Sequence, residues 1–310
     1  MSTVLAGIDV GGTNTKVLLA TPDLEVIDRI DLPTPAHAGG DAIVTAAVEA
    51  VRVLLDRHRA SLAGVGVGAA GVVDATTGTV LVTANSFTGW AGYGVTAAVS
   101  AALGVPATLD NDVNAFLLGE LAAGAVAGEP DALGMTLGTG VGGALVLGGT
   151  LFAGPRGAAG EIGHVPGFSD VRCTCGQVGH LETIAGARGI ADRYAERSGR
   201  RVSARAVADA ARTGDPDAAA VFATTGWGIA RAALLTAGIL DVTTVVIGGG
   251  VARSWDLLEP AVTAAIAVEP PVSGATIRLA QSALGADAVA LGAAAQVRDL
   301  VRGGAVVSDR

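Results

Sequence analysis

Two stretches of this chain carry the same local plan. Residues 3–10 (TVLAGIDV) form an apolar run that ends at Asp9-Val10. A Gly11-Gly12-Thr13 turn follows, and KVLLA returns as a second apolar run. Residues 133–149 (LGMTLGTGVGGALVLGG) repeat the pattern, with Gly138-Thr139-Gly140-Val141-Gly142-Gly143 where the first turn stood. Short apolar runs on either side of a glycine turn read as β-hairpins. Two copies predict two α/β domains, each built around one hairpin. No linker or low-complexity tract separates the halves, so the division rests on this duplication.

Helical spacing recurs at Ile43, Val44, Ala47, Val48, Val51 and Leu54, with Arg52, Asp56, Arg57 and Arg59 mostly opposite, which predicts a helix over 41–59. Strands are expected near 25–32, 64–70, 79–82, 105–109 and from Val242. Helices are expected near 95–103, 113–126, 184–262 with breaks, and 286–301. Half the residues are hydrophobic but only 3% are aromatic, so Ala and Val must fill most of the core. A formal charge of −9 argues against a nucleic-acid or anionic-membrane surface. The uncharged run 132–155 is broken by eight glycines, which suits two strands and a turn rather than a membrane span. The start has no basic n-region and meets Asp9 early, so a soluble cytoplasmic protein is expected.

Successive amides in a glycine turn form an anion-binding concavity. Either turn alone is equally ordinary hairpin chemistry, but the pair points to phosphate, with Thr13 and Thr139 adding hydroxyl donors. Asp9, at the strand end, is suited to holding Mg²⁺ through water. The G-x-G-x-x-G matches at 66–71 and 138–143 lack the helix that a dinucleotide site needs. Gly248-Gly249-Gly250 does follow a strand and precede a helix. That suits a nucleotide's sugar or phosphate, and suits a plain β–α turn nearly as well.

The segment 157–182 holds both cysteines, Cys173 and Cys175, with His164, His180, Glu161 and Glu182. Thiolate and imidazole at this spacing suit a tetrahedral zinc ion, which would hold the loop rigid while Glu161, His164 and Glu182 face a polar ligand. A metal-free loop with inert cysteines is the alternative. Asp110-Asn111-Asp112-Val113-Asn114 lacks the glycine and the glutamate of a calcium loop. It reads either as a helix N-cap or as the source of a carboxylate that accepts a hydroxyl proton.

Together these residues resemble the ROK family of bacterial sugar kinases and sugar-responsive repressors, within the actin-like ATPase superfamily. Asp9-Val-Gly-Gly-Thr13 is similar to the first phosphate motif, Gly138-Thr-Gly-Val-Gly-Gly143 to the second, and Ile247-Gly-Gly-Gly-Val251 to the adenosine motif. Residues 157–164 (GAAGEIGH) and 173–182 (CTCGQVGHLE) are similar to the family signature. The resemblance implies an α/β, two-domain actin-like ATPase (ribonuclease H-like) fold with an interdomain cleft, and domains at 1–114 plus about 288–310 and at 115–287. It implies a hexose kinase using ATP with Mg²⁺, most simply a glucokinase, with Asp112 as general base. Asn85, Asn111, Asp112, Glu161, His164 and Glu182 would contact the sugar. Asp9, Gly11, Gly12, Thr13, Gly138, Thr139, Gly140, Gly248, Gly249 and Gly250 would hold the nucleotide. His164, Cys173, Cys175 and His180 would hold a structural zinc, His180 standing where the family has a third cysteine. Asn14 replaces the lysine that many relatives carry after the first turn. A homodimer with no nucleic-acid or membrane partner is implied. The alternatives are a kinase for another sugar (fructose, mannose, allose, N-acetylmannosamine or N-acetylglucosamine) and a non-catalytic sugar-sensing repressor, which would carry a winged helix ahead of the first phosphate motif.

Overall fold

The structure, a computed structural model, describes residues 2–83 and 86–303. Asn85 lies outside the described residues. The chain forms two compact units, the first comprising Met1–Gly128, Thr150–Ala159 and Ala283–Arg310, the second Glu129–Gly149 and Gly160–Ser282.

In the first unit, β1 (Thr3–Val10), β2 (Asn14–Ala20), β3 (Val26–Pro33), β4 (Ser61–Ala69) and β7 (Ala107–Asn111) make one sheet in the order β3-β2-β1-β4-β7. The expected hairpin pairs β1 with β2, while β4 runs parallel to β1, and β7 parallel to β4. A small hairpin, β5 (Val72–Asp74) with β6 (Thr79–Val82), follows β4. Alternation along β1 sorts its side chains between two layers. Val4, Ala6, Ile8 and Val10 join the core that includes α1 (Gly40–His58) and α2 (Val95–Leu103). Leu5 faces the C-terminal helix α9 (Ala288–Val301).

That helix lies directly on backbone. A Cβ at Gly7 would stand 1.8 Å from the Ala290 carbonyl oxygen, and one at Gly66 equally close to that of Ala293. On its other flank α9 meets α3 (Asp112–Ala123), where a Cβ on Gly292 would lie 1.7 Å from the Ala115 carbonyl oxygen. The alanine-rich α9 and these glycines are how a chain poor in aromatics reaches interior packing density. Because α3 packs on α9, the first unit extends to Gly128 rather than stopping at 114. Gly292→Ala is expected to cost about 3 kcal/mol, since rigid backbone must part to admit the methyl. Urea unfolding of the variant checks this, and an unchanged midpoint would contradict it.

In the second unit, β8 (Ala132–Leu137), β9 (Val141–Leu147), β11 (Thr244–Gly248) and β12 (Arg278–Gln281) lie in the order β9-β8-β11-β12. The two-residue strand β10 (Thr150–Leu151) falls in the first unit. The run 132–155 is therefore strand and turn, as expected. β12 carried no sequence signal, being a four-residue edge strand with a charged start. Five helices accompany the sheet: α4 (Glu182–Ala185), α5 (Ala187–Ser198), α6 (Ala204–Arg212), α7 (Pro216–Leu240) and α8 (Trp255–Val268). Among the described residues only α7 is long and apolar enough to cross a membrane. Val221, Phe222, Ile229 and Ala233 bury it in the unit's core, so it reads as a core helix. Asp215 caps its start, accepting from the Asp217 and Ala218 amides and from the hydroxyl of fully buried Tyr194.

Candidate active site

The parallel strands β1, β4 and β7 of the first unit end at one edge. Asp9 pairs with Gly68 and Gly68 with Asp110, so the end of β1 and the DNDVN segment are two strands apart. Asn111 is the N-cap of α3: its Oδ1 accepts from the Val113 amide at 2.8 Å and the Asn114 amide at 3.2 Å. Its Nδ2 donates to the Gly71 carbonyl at 2.7 Å. Capping thus falls to Asn111, and Asp112 becomes the first helical residue. Burial, aided by the Asp112 charge and opposed by Lys16, pushes the Asp9 carboxyl up to about 7. A carboxylate whose ionisation is opposed by burial and by a neighbouring carboxylate is arranged to receive a cation or a proton.

The first glycine turn is closed by its own contacts. The Gly11 amide donates to the Asn14 carbonyl, and Thr34 donates its hydroxyl to the Gly11 carbonyl at 2.7 Å. Lys16 sits opposite Asp9 in the β1–β2 register, with its ammonium 3.0 Å from Asp287 and 3.6 Å from Asp31.

In the second unit one cavity is lined by Gly138, Thr139, Ser203, Arg205, Gly250 and Arg253 among others. The second glycine turn and the end of the Gly248–Gly250 run therefore meet. Gly248 itself lies in β11, paired with Thr136. Gly249 has φ +87° and packs on the Leu137 backbone, where any side chain would collide. The amino terminus of α5 completes the turn, the Ala187 amide donating to the Gly138 carbonyl at 2.9 Å.

Glu161 and His164 are set by close backbone approach. A Cβ on Gly163 would stand 1.9 Å from the Val141 carbonyl oxygen, so the 3-10 turn Ile162–His164 lies flat on β9. Glu182, at the start of α4, bridges the Cys/His loop and the second turn. Its Oε1 accepts from the Thr174 hydroxyl at 2.9 Å and from the Cys173 thiol at 3.5 Å, and its Oε2 accepts from the Val141 amide at 3.3 Å.

His164, Cys173, Cys175 and His180 converge, one ligand atom from each lying within 4.8 Å of the others. The two Nδ1 atoms are 3.3 Å apart, Cys173 Sγ is 3.8 Å from His164 Nδ1, and Cys175 Sγ is 3.3 Å from His180 Nδ1. A zinc tetrahedron with bonds of about 2.0–2.1 Å to nitrogen and about 2.3 Å to sulfur has edges of about 3.4 Å between nitrogens and about 3.6 Å from nitrogen to sulfur. The donor set fits zinc in both chemistry and spacing. Burial pushes the Cys173 thiol up, so that without a metal it is a protonated, inert thiol.

The family model of the ROK family matches residues 5–300. The chain belongs to the ROK family. A glucokinase of Halalkalibacterium halodurans is 34% identical over 308 residues, covering 92% of each chain. Among solved structures, a ROK family glucokinase from Streptomyces griseus, in complex with glucose and AMPPNP, superposes with TM-score 0.81 at 27% identity and covers 97% of this chain and 100% of that one. A ROK family transcriptional regulator superposes with TM-score 0.87 at 20% identity, covering 99% of this chain and 80% of that one, a likeness of fold alone. The fold is the two-domain actin-like ATPase fold.

Three features of this ROK protein lie outside its motifs. Asp110, 3% exposed, accepts from the Asn111 amide, from Asn114 Nδ2 at 2.7 Å and, 186 residues away, from Gln296 Nε2 of α9 at 2.8 Å. Burial pushes its carboxyl above the usual range, against the pull of those donors. Arg205, Arg212 and Arg253, with Asp209, line the ROK protein's second-unit cavity from separate elements of the fold. Glu120, fully buried, accepts from the Ala125, Ala283 and Leu284 amides, tying the end of α3 to the segment before α9.

Proposed function

We propose that this protein is an ATP-dependent hexose kinase, and specifically a glucokinase, transferring the γ-phosphoryl group of ATP to the sugar's 6-hydroxyl. The observation that carries this reading is the first unit's carboxylate pair. Asp112 is relieved of capping duty by Asn111 and is electrostatically coupled to Asp9. Asp112 takes the proton from the 6-hydroxyl as that oxygen attacks the γ-phosphorus. Asp9 would hold Mg²⁺ through water, and the ion when bound neutralises charge on the phosphate oxygens. Amides of both glycine turns and the Thr13 and Thr139 hydroxyls receive the phosphates, and the cavity at Gly138, Thr139 and Gly250 receives the nucleoside.

Asn85, Asn111, Glu161, His164 and Glu182 contact sugar hydroxyls in this reading. Donors and acceptors of that kind, once a sugar covers them, discriminate because each one left unpaired is costly. Zinc held by His164 Nδ1, Cys173, Cys175 and His180 Nδ1 would keep the loop rigid, leaving His164 Nε2 for the sugar. The named activity of the halodurans relative and the ligands of the griseus structure support glucose and ATP. A cytoplasmic homodimer belongs to the same reading.

The test is ADP release in a coupled assay over a panel of hexoses. Glucose is expected to give the highest kcat/KM. A clear preference for another hexose would overturn the glucokinase assignment, and no sugar-dependent ADP release at all would overturn the kinase. Elemental analysis of unchelated protein is expected to find about one zinc per chain, as four ligands in one tetrahedron imply.

A further inference from the structure

We propose that Gln177 is a positioning residue that sets the tautomer of His180 and so makes that imidazole a metal ligand. The inference rests on the zinc reading above and concerns a side chain that reading does not use.

A neutral imidazole has one protonated and one unprotonated ring nitrogen, and only the unprotonated one can bind a metal. His180 is 1% exposed. Its Nδ1 faces inward, 3.3 Å from both Cys175 Sγ and His164 Nδ1. Its Nε2 is 3.2 Å from Gln177 Oε1. An amide oxygen only accepts, so this contact places the proton on Nε2 and leaves Nδ1 with its lone pair toward the cluster. Without that acceptor a buried N–H would go unsatisfied, and the ring would gain by moving its proton to Nδ1, the form that cannot ligate.

The contact also bears on why a histidine serves where the family signature has cysteine. A thiolate offers the same lone pairs whichever way it rotates and needs no orienting partner. An imidazole needs its far nitrogen fixed. The loop can supply the partner because Cys173 N donates to the Gln177 carbonyl at 2.7 Å, which folds residue 177 back beside the cluster. That bond is made by the backbone and survives any change of the Gln177 side chain.

The test is a mutant cycle on the full-length protein, with Zn²⁺ affinity read by competition with a chromophoric chelator. Q177A should weaken Zn²⁺ binding roughly tenfold, the lower end of the effect usual for a lost partner of a metal-bound histidine. Q177E, which keeps an acceptor at the same reach, should restore it. In the H180C background the same Q177A change should have no effect, because no ring is left to orient. The Co²⁺-loaded H180C protein should show stronger thiolate-to-cobalt absorption than wild type, confirming that the new thiolate occupies the site. Equal losses from Q177A in both backgrounds would show that Gln177 merely shapes the loop and would overturn the proposal, as would no loss in either. Wild-type protein that binds no Zn²⁺ would overturn the metal reading itself, and this inference with it.

Discussion

Asp112→Ala is expected to lower kcat by roughly 10²-fold or more while the sugar still binds. The structure makes this a clean experiment. Asn111 supplies the cap of α3 and accepts from the Val113 and Asn114 amides, so the cap survives loss of the Asp112 carboxylate, whose Oδ1 shares the Val113 amide at 3.0 Å. The Asp110 contacts to Asn114 and Gln296 are likewise untouched. The fold should therefore lose about 1 kcal/mol, the usual net worth of one hydrogen bond, because the Val113 amide keeps Asn111 as its acceptor. Turnover by the ADP-release assay and glucose affinity by calorimetry separate the two effects. A variant that turned over normally would move the base to another residue.

Asp9→Asn is expected to abolish most activity and yet stabilise the ligand-free protein at pH 8. In the folded state burial and the Asp112 charge raise the Asp9 carboxyl to about 7 from an ordinary 3.8. Between those values the unfolded chain has already lost the proton that the folded chain retains. Stability therefore falls as pH rises from about 4 to about 7 and stays low above that. A shift of this size corresponds to at most roughly 4 kcal/mol. An amide carries no such cost, so the variant should melt several degrees higher at pH 8 and match wild type near pH 4. Excess Mg²⁺-nucleotide should narrow the gap by supplying the missing counter-charge. If wild type and variant melted together at all pH values, Asp9 would not be a strained carboxylate, and its place as the cation's partner would lose its support. The Lys16 ammonium lowers the cost at Asp9 but is itself shared with Asp287 and Asp31, which is why it does not cancel it.

What the sequence determined by itself was local. Two hairpins with glycine turns, a helix capped from within DNDVN, and four metal-ligand side chains within seventeen residues were all legible. Each depends on neighbours whose spacing is printed in the chain. The Cys/His cluster was readable for the same reason, since a short loop leaves its ligands few places to go. The tertiary structure alone decided which unit α3 joins, because that choice turns on Gly119 and Gly292 letting two backbones touch. It alone paired Asp110 with Gln296, set Glu182 against the Val141 amide, and brought Arg205 and Arg253 to the cavity at the second turn. Contacts between residues far apart in the chain leave no periodicity to read. They exist only once buried area and close packing have selected one arrangement out of the many that the same local elements allow.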